Sequence, residues 1–507
     1  MDGHTSAAGL GAAGRERILG LHPLIVALLV QAVVWSVGPA LIFGNLHADT
    51  LEAAYWGRDW ALGYAKHPPM ATWLMDLALR TGLQPIFALM LLSQLTVVAT
   101  AFFVWRIAGL FASRETAALA TLLYVVSPAA TIYAVQLNHN SVLAPFWAGT
   151  AYMGLLYLEE RRWVHAILLG LVAGLGMLTK YELLFVLASL LAIAAVTPRY
   201  RPAFFHPASY VAALIFLLIL APHVWWLNAH HWPSLSRALG TDKIENLNGL
   251  NLSAINLIVG LFALLIVPCG LLLATSRARR PDDITNGPGH RMMATVIGFG
   301  PLVVLVLGAL ATMQVLKPLW VLPLSSTLAV ALAVLFPAGL WGEGLRVKTS
   351  AQIICGLSTF IFVGFAAYLF VAGAIGKPLT AYSADTKKLA KATQALWSEN
   401  QRRPLACVIV ADRKIGPSGV LWLKGRPDFV DFSSIGWQTP EQIAACRRSG
   451  GVVVLADGAD ILDNFPAACR ASARRIDLPT SPGMGRVTFP LDLIYVPPEA
   501  DARCPAR

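Results

Sequence analysis

The residues best suited to chemistry lie together in one short stretch. Residues 44–69 read GNLHADTLEAAYWGRDWALGYAKHPP, which is too polar to span a bilayer and too patterned to be a spacer. Asp49 and Glu52 are three residues apart, so a helix starting near Asp49 puts both carboxylates on one side. Lys66 and His67 follow, and Pro68 and Pro69 then fix the backbone where the chain turns back. Such a group can take a proton from a hydroxyl and offset developing negative charge. A structural reading competes, because Asp49 also suits the N-cap of a helix over Leu51–Leu62. Tyr55, Trp56, Trp60 and Tyr64 would make that helix interfacial. For Asp49 taken alone, the cap is the stronger reading.

Other polar groups are scattered through apolar sequence. Asn138, His139 and Asn140 form a short polar hairpin between two apolar runs. Lys180 stands beside Tyr181 and Glu182, where a snorkelling lysine or a simple partner for Glu182 is the default. Lys317 precedes Pro318 and Trp320 at the start of another run. The stretch Asn228–Asn251 holds His230, His231, Arg237, Asp242, Lys243 and Glu245. Adjacent histidines without an i, i+4 partner do not specify a metal site. Glu52 and His67 could share a divalent metal, though nothing in the sequence requires one. Arg106 reads as a snorkelling side chain. The chain has no Walker loop, no Cys-x-x-Cys and no nucleophile elbow, which disfavours ATPase, redox and serine-hydrolase chemistry.

The elements that must position these residues are membrane helices. The chain has 507 residues, 56% hydrophobic and 13% charged, against roughly 25% charged in soluble domains. Apolar runs such as Leu24–Phe43, Ala208–Leu227 and Ala351–Ala374 reach the length of about 20 residues that crosses a bilayer. About eleven spans are expected, near 21–43, 85–110, 115–134, 139–158, 163–179, 181–197, 208–227, 253–274, 292–314, 317–339 and 351–374. The net charge of +11 falls in clusters between apolar runs, not in a basic stripe, so it argues against nucleic acid and for membrane orientation. With a cytoplasmic N-terminus, every second loop carries such a cluster: Arg15/Arg17, Arg114, Arg161/Arg162, Arg199/Arg201, Arg277/Arg279/Arg280 and Arg346/Lys348.

The expected fold class is therefore an all-α polytopic membrane protein with a small C-terminal α/β domain. Residues 1–20 form a cytoplasmic segment, retained as part of a signal anchor. Residues 21–375 form the membrane domain with a first outer loop at 44–84, and 376–507 form the outer domain. In that tail, Ser383–Trp397 reads as a helix, and Leu405–Val410, Gly451–Leu455 and Arg486–Val496 read as strands. Cys407, Cys446, Cys469 and Cys504 also lie there; an oxidising compartment would permit disulfides, and four free thiols is the alternative.

The stretch DTLEAAYWGRDWALGYAKHPPMATWL resembles the first loop of the polyprenol-phosphate-sugar-dependent GT-C glycosyltransferases. These include protein O-mannosyltransferases, aminoarabinose transferases and, in particular, the bacterial RgtA/B-type galacturonosyltransferase-like proteins. Asp49 stands at the family's aspartate. The adjacent family glutamate is replaced by Thr50, and the nearby acid is Glu52. Asn138–Ser141, Gly170–Tyr181 and Trp397–Asp457 extend the resemblance over most of the chain. It implies a multi-pass protein of the bacterial inner membrane with its active site facing the periplasm. The donor would be a polyprenyl-phosphate sugar, and the acceptor lipopolysaccharide core, lipid A, another glycolipid or protein. Asp49, with Glu52, would be catalytic. Tyr55, Lys66, His67, Asn138, His139, Asn140, Lys180, Tyr181 and Lys317 would bind substrate. The rival from another class is a lipid or solute transporter, which would instead concentrate polar residues near the middle of its spans.

Overall fold

The computed structural model describes residues 22–238, 288–312, 318–335, 347–411, 414–432, 440–456, 461–465, 468–470 and 473–499. Lys317 and Cys504 lie outside them, as does the span expected at 253–274. The membrane domain opens with α1 (Pro23–Ile42), started by a proline at its first turn, where the missing N–H has no intrahelical partner anyway. The first loop contains α2 (Ala48–Trp56) and α3 (Met70–Arg80). The bundle continues through α4 (Pro85–Phe111), α5 (Arg114–Val126), α6 (His139–Glu160), α7 (Trp163–Met177), α8 (Leu184–Val196) and α9 (Pro207–Ala229). After the short α10 (Pro233–Ala238) come α11 (Pro288–Thr312), α12 (Leu324–Leu335) and α13 (Val347–Ala374).

Among the described residues six helices are long and apolar enough to cross a membrane, or seven if the bent pair Tyr181–Val196 and Pro198–Phe205 is one span. Of the ten expected spans that fall in the described residues, six are such helices, one is part of the bent pair and three hold shorter helices. Hydropathy merges runs that the backbone breaks. The run at 115–134 is helical only to Val126, because Pro128 cannot continue the ladder. Its 13 residues reach about 20 Å, short of a core of about 30 Å. The runs at 163–179 and 317–339 likewise hold helices of 15 and 12 residues. From Leu324 to Val334 every residue of α12 is buried. Leu41, Leu217, Phe360 and Val371 are exposed, as lipid-facing side chains must be.

Packing among these helices is close. α1 packs on α4 and α13, α4 on α5 and α6, α7 on α6 and α9, and α12 on α4, α5 and α11. Gly170 and Gly174 let α7 approach α9: an added Cβ would stand 2.5 Å from the Ala212 carbonyl oxygen and 2.9 Å from Ile219. The glycine-rich helix is thus a packing surface. Buried polar groups tie α1 to α13 and to the segment after α5. Trp35 Nε1 donates to Ser358 Oγ at 2.9 Å, and Gln31 Nε2 donates to the Ala130 carbonyl at 2.6 Å.

The tail is an α/β unit. Asp385 caps α14 (Thr386–Asn400). The helix lies on a five-stranded sheet of β1 (Cys407–Val410), β2 (Asp428–Asp431), β3 (Gly451–Ala456), β4 (Arg474–Pro479) and β5 (Thr488–Val496), in the order β2-β1-β3-β5-β4. β1 is parallel to β2 and β3, whereas β5 runs antiparallel to β3 and β4. The helix and β1, β3 and β5 follow the expectation within a few residues. β2 and β4 are additions. Cys407 and Cys446 form a disulfide, and Cys469 is also disulfide-bonded.

The tail docks onto the first loop through charge. Asp76 of α3 is buried and accepts from Trp60 Nε1 at 2.7 Å, from Arg80 Nε at 2.6 Å and from Arg426 of the tail. Arg58 Nη1 donates to the Pro427 carbonyl at 2.5 Å. Asn45 Nδ2 donates to the Lys414 carbonyl at 2.9 Å. Burial alone would raise the Asp76 carboxyl, but hydrogen bonds from Trp60, Arg80 and Arg426 outweigh it and hold the group below its ordinary value of 3.8. A carboxyl lowered on folding stabilises above its unfolded value, and this is lost as pH falls through the lowered value. Asp76→Ala is expected to destabilise the protein by about 2–3 kcal/mol, discounted because both arginines are partly exposed. The melting temperature should fall at neutral pH, and the gap to the parent protein should narrow only in strong acid.

Candidate active site

The first loop folds back over the ends of α6 and α7. Glu52, one turn into α2, is buried, and Lys66 pairs with it; both side chains are under a tenth exposed. The Lys66 ammonium also stands 5.4 Å from the centre of the Trp56 ring, a cation–π placement. Trp56 in turn stacks on Tyr64 at 5.6 Å. Tyr64 N donates to the His67 carbonyl at 3.1 Å, closing the turn before the prolines. The loop lies so close to α9 that a side chain at Gly63 would collide with Trp226.

Asp49 is not the N-cap of α2. His47 takes that position, its Nδ1 accepting from Asp49 N at 3.3 Å and standing 3.7 Å from the Asp49 carboxylate. The helix ends at Trp56, before Gly57, not at Leu62. Asp49 thus falls in the first turn, where a carboxylate suits the helix dipole, and is about a third exposed. Its charge reaches Tyr382, whose hydroxyl is pushed up by burial and, to a lesser degree, by Asp49.

A second ion pair faces the loop from the bundle. Lys180 Nζ donates to Glu182 Oε1 at 2.6 Å and to Asn140 Oδ1 at 2.8 Å, and lies 5.5 Å from the Trp320 ring centre. His67 and His139 pack together between the two lysines, ring centres 4.0 Å apart. Burial, then the charges of His139, Lys180, Lys66 and Arg237, hold His67 well below its ordinary 6.5. It is therefore a neutral imidazole at working pH. Among the described residues no three His, Cys, Asp or Glu side chains are placed to hold a metal ion.

Not every expected site residue faces this cluster. The Tyr55 hydroxyl donates to Asp431 Oδ2 of the tail at 2.8 Å and its ring stacks on Phe429, so it holds the tail. Asn138 caps α6, its Oδ1 accepting from Asn140 N and Ser141 N. The Tyr181 hydroxyl lies 2.8 Å from His223 Nε2 and 2.7 Å from Ser234 Oγ, while His223 Nδ1 lies 2.7 Å from the Leu62 carbonyl. That chain of bonds ties α9 and α10 to the loop. Sequence reasoning treated Glu182 as no more than a partner, and gave Trp320 and Arg237 no role at the cluster. Only tertiary contact brings them there.

The far end of α6 carries the opposite character. Glu159 pairs with Arg199 at 2.6 Å, and Arg161 Nη1 donates to the Arg199 carbonyl at 3.4 Å. The 22 residues of α6 separate this basic end from His139 by about 33 Å, close to one bilayer core. The cluster and the arginines thus lie at opposite faces of the membrane domain.

A sequence model of the dolichyl-phosphate-mannose-protein mannosyltransferase family matches residues 66–226. Over 193 residues the chain is 27% identical to the lipid A galacturonosyltransferase RgtD of Rhizobium johnstonii, a match covering 37% of this chain and 39% of that protein. It is 24% identical over 363 residues to the lipopolysaccharide core galacturonosyltransferase RgtB of the same organism, covering 68% and 72%. The crystal structure of ArnT from Cupriavidus metallidurans bound to undecaprenyl phosphate superposes with a TM-score of 0.62 at 12% identity, covering 95% of this chain and 99% of that one. The apo form gives 0.61 at 11% identity over 95% and 99%. The chain therefore has the GT-C-type polytopic fold of ArnT, with its α/β C-terminal region.

The buried Lys66–Glu52 pair makes a direct forecast. Lys66→Met leaves a buried carboxylate without its ammonium and should destabilise by about 3–5 kcal/mol. Lys66→Met combined with Glu52→Gln removes both charges and should recover most of that loss. Melting temperatures of the two single variants and the double variant give the coupling, and simple additivity would show that the pair carries no mutual stabilisation.

Proposed function

We propose that the protein is a membrane glycosyltransferase that moves a sugar from a polyprenyl-phosphate donor to an envelope glycolipid, in the bacterial inner membrane with the site facing the periplasm. The observation that carries this reading is the paired-lysine cluster at one face of the bundle, roofed by a loop that holds Asp49. The family matched at 66–226 and the two galacturonosyltransferase relatives support it. So does the shared fold of an ArnT structure that holds undecaprenyl phosphate. The relatives favour galacturonic acid as the sugar and a lipid A or lipopolysaccharide-core acceptor.

The chemistry is a single displacement with inversion. An acceptor hydroxyl oxygen attacks the anomeric carbon, the bond from that carbon to the phosphate oxygen breaks, and the hydroxyl proton passes to Asp49. A carboxylate base contributes about 10²–10⁴-fold. The leaving polyprenyl phosphate gains negative charge, and Lys66, held in a largely dry site, offsets it. Asp49 suits the base because it is partly exposed and reachable by an acceptor, whereas Glu52 is buried against Lys66. Glu52 then acts by holding Lys66 in place.

The test is transfer of radiolabel from a polyprenyl-phosphate sugar to envelope glycolipid by the purified protein in nanodiscs. The parent protein should transfer sugar, and Asp49→Asn should lower the rate by about 10²-fold or more with membrane insertion unchanged. Near-normal transfer by that variant would remove Asp49 from the role of base. Lipid movement without transfer would favour a flippase instead.

A further inference from the structure

The two lysines of the cluster differ in what surrounds them. Glu182 offers Oε1 to Lys180, while its Oε2 is buried with no hydrogen-bond partner. His139 Nε2 is also buried without a partner, in a residue only 5% exposed. Buried polar atoms left unsatisfied are costly, so two at one station point to a ligand that supplies their partners. A carboxylate oxygen can only accept. A phosphate near neutral pH brings acceptors and negative charge, and would be repelled there. A sugar brings several hydroxyl donors, and the Trp320 face beside Lys180 offers the apolar surface that a pyranose ring covers.

We infer that Glu182, with Lys180, Asn140 and His139, forms the sugar-reading station of the donor site, and that Lys66 holds the leaving phosphate. Glu182 Oε2 accepts a hydrogen bond from a sugar hydroxyl, and Lys180 positions Glu182 and donates to sugar oxygens. His139 Nε2 faces another polar group of the same sugar. Glu182 thereby determines specificity for a hydroxyl-bearing group on the lipid phosphate. This rests on the proposed donor class.

The experiment measures binding to nanodisc-embedded protein of three lipids: undecaprenyl phosphate, its galacturonosyl ester and its mannosyl ester. The parent protein should bind at least one glycosylated lipid more tightly than the bare phosphate. Glu182→Gln should weaken that lipid about tenfold or more and leave the bare phosphate unchanged, which also reports correct folding. Lys180→Met with Glu182→Met, a charge-neutral pair, should do the same. Lys66→Met combined with Glu52→Gln, which avoids an unpaired buried carboxylate, should weaken all three alike. Equal loss of bare and glycosylated lipid in the Glu182 or Lys180/Glu182 variants would overturn the inference, as would no loss in either. Equal binding of all three lipids by the parent would overturn it as well. Binding of none of them by the parent protein would overturn the donor class itself, and the inference with it.

Discussion

Glu52 and Lys66 are buried together at the rim of the bundle, and the shape of the first loop depends on that pair. Neither charge is tolerable there alone, since desolvating a single carboxylate or ammonium costs several kcal/mol. Fourteen residues separate them in sequence, so pairing forces the chain to leave α2, turn and come back. Gly57 ends the helix, and Trp60 takes a left-handed conformation with φ 48°. Gly63 passes under Trp226, and the two prolines start α3. Trp56 and Tyr64, stacked in parallel, fill the space inside the turn. Asp49 is positioned as a consequence, one turn from Glu52 on the same short helix.

The tail completes the enclosure from the other side. Asp76, Tyr55, Arg58 and Asn45 all belong to the loop region, and all are bonded to residues between Lys414 and Asp431. Residues on both sides of β2 and just after β1 therefore grip the loop, which also carries Lys66 of the lysine cluster. A loop gripped on both faces loses little further entropy when a ligand arrives, which favours a preorganised site. This gives a physical reason for the C-terminal unit to be bonded so closely to the membrane domain.

Much of this was legible in the sequence, for identifiable reasons. Long apolar runs and alternating basic loops report the solvent directly, so a membrane bundle with an α/β tail could be read without tertiary information. The count of spans could not, because hydropathy carries no record of where Pro128 or a bend at Thr197–Pro198 interrupts a helix. Lys66 and Glu52 could be picked out because they lie within one loop. Glu182 could not be placed, because its value depends on His139 and Trp320, which come from distant helices. The partners of Tyr55 and Tyr181 could not be read either, for one shared reason. A buried tyrosine needs a partner for its hydroxyl, and sequence does not show whether that partner is a ligand or the protein, as Asp431 and Ser234 prove to be.

The two ion pairs also set the charge of the site. Each lysine already carries a carboxylate, so the two pairs are close to neutral between themselves. A bare row of lysines would attract any anionic headgroup from the surrounding bilayer. In the proposed reaction an arriving phosphate competes with Glu52 for Lys66, and gains most when further negative charge develops on the leaving oxygen. That is the condition for catalysis, because an interaction that strengthens toward the transition state lowers the barrier, whereas one equally strong in the ground state does not. The neutral imidazole of His67 between the pairs fits the same requirement. It adds polarity without adding a charge that would hold a phosphate product of the proposed reaction.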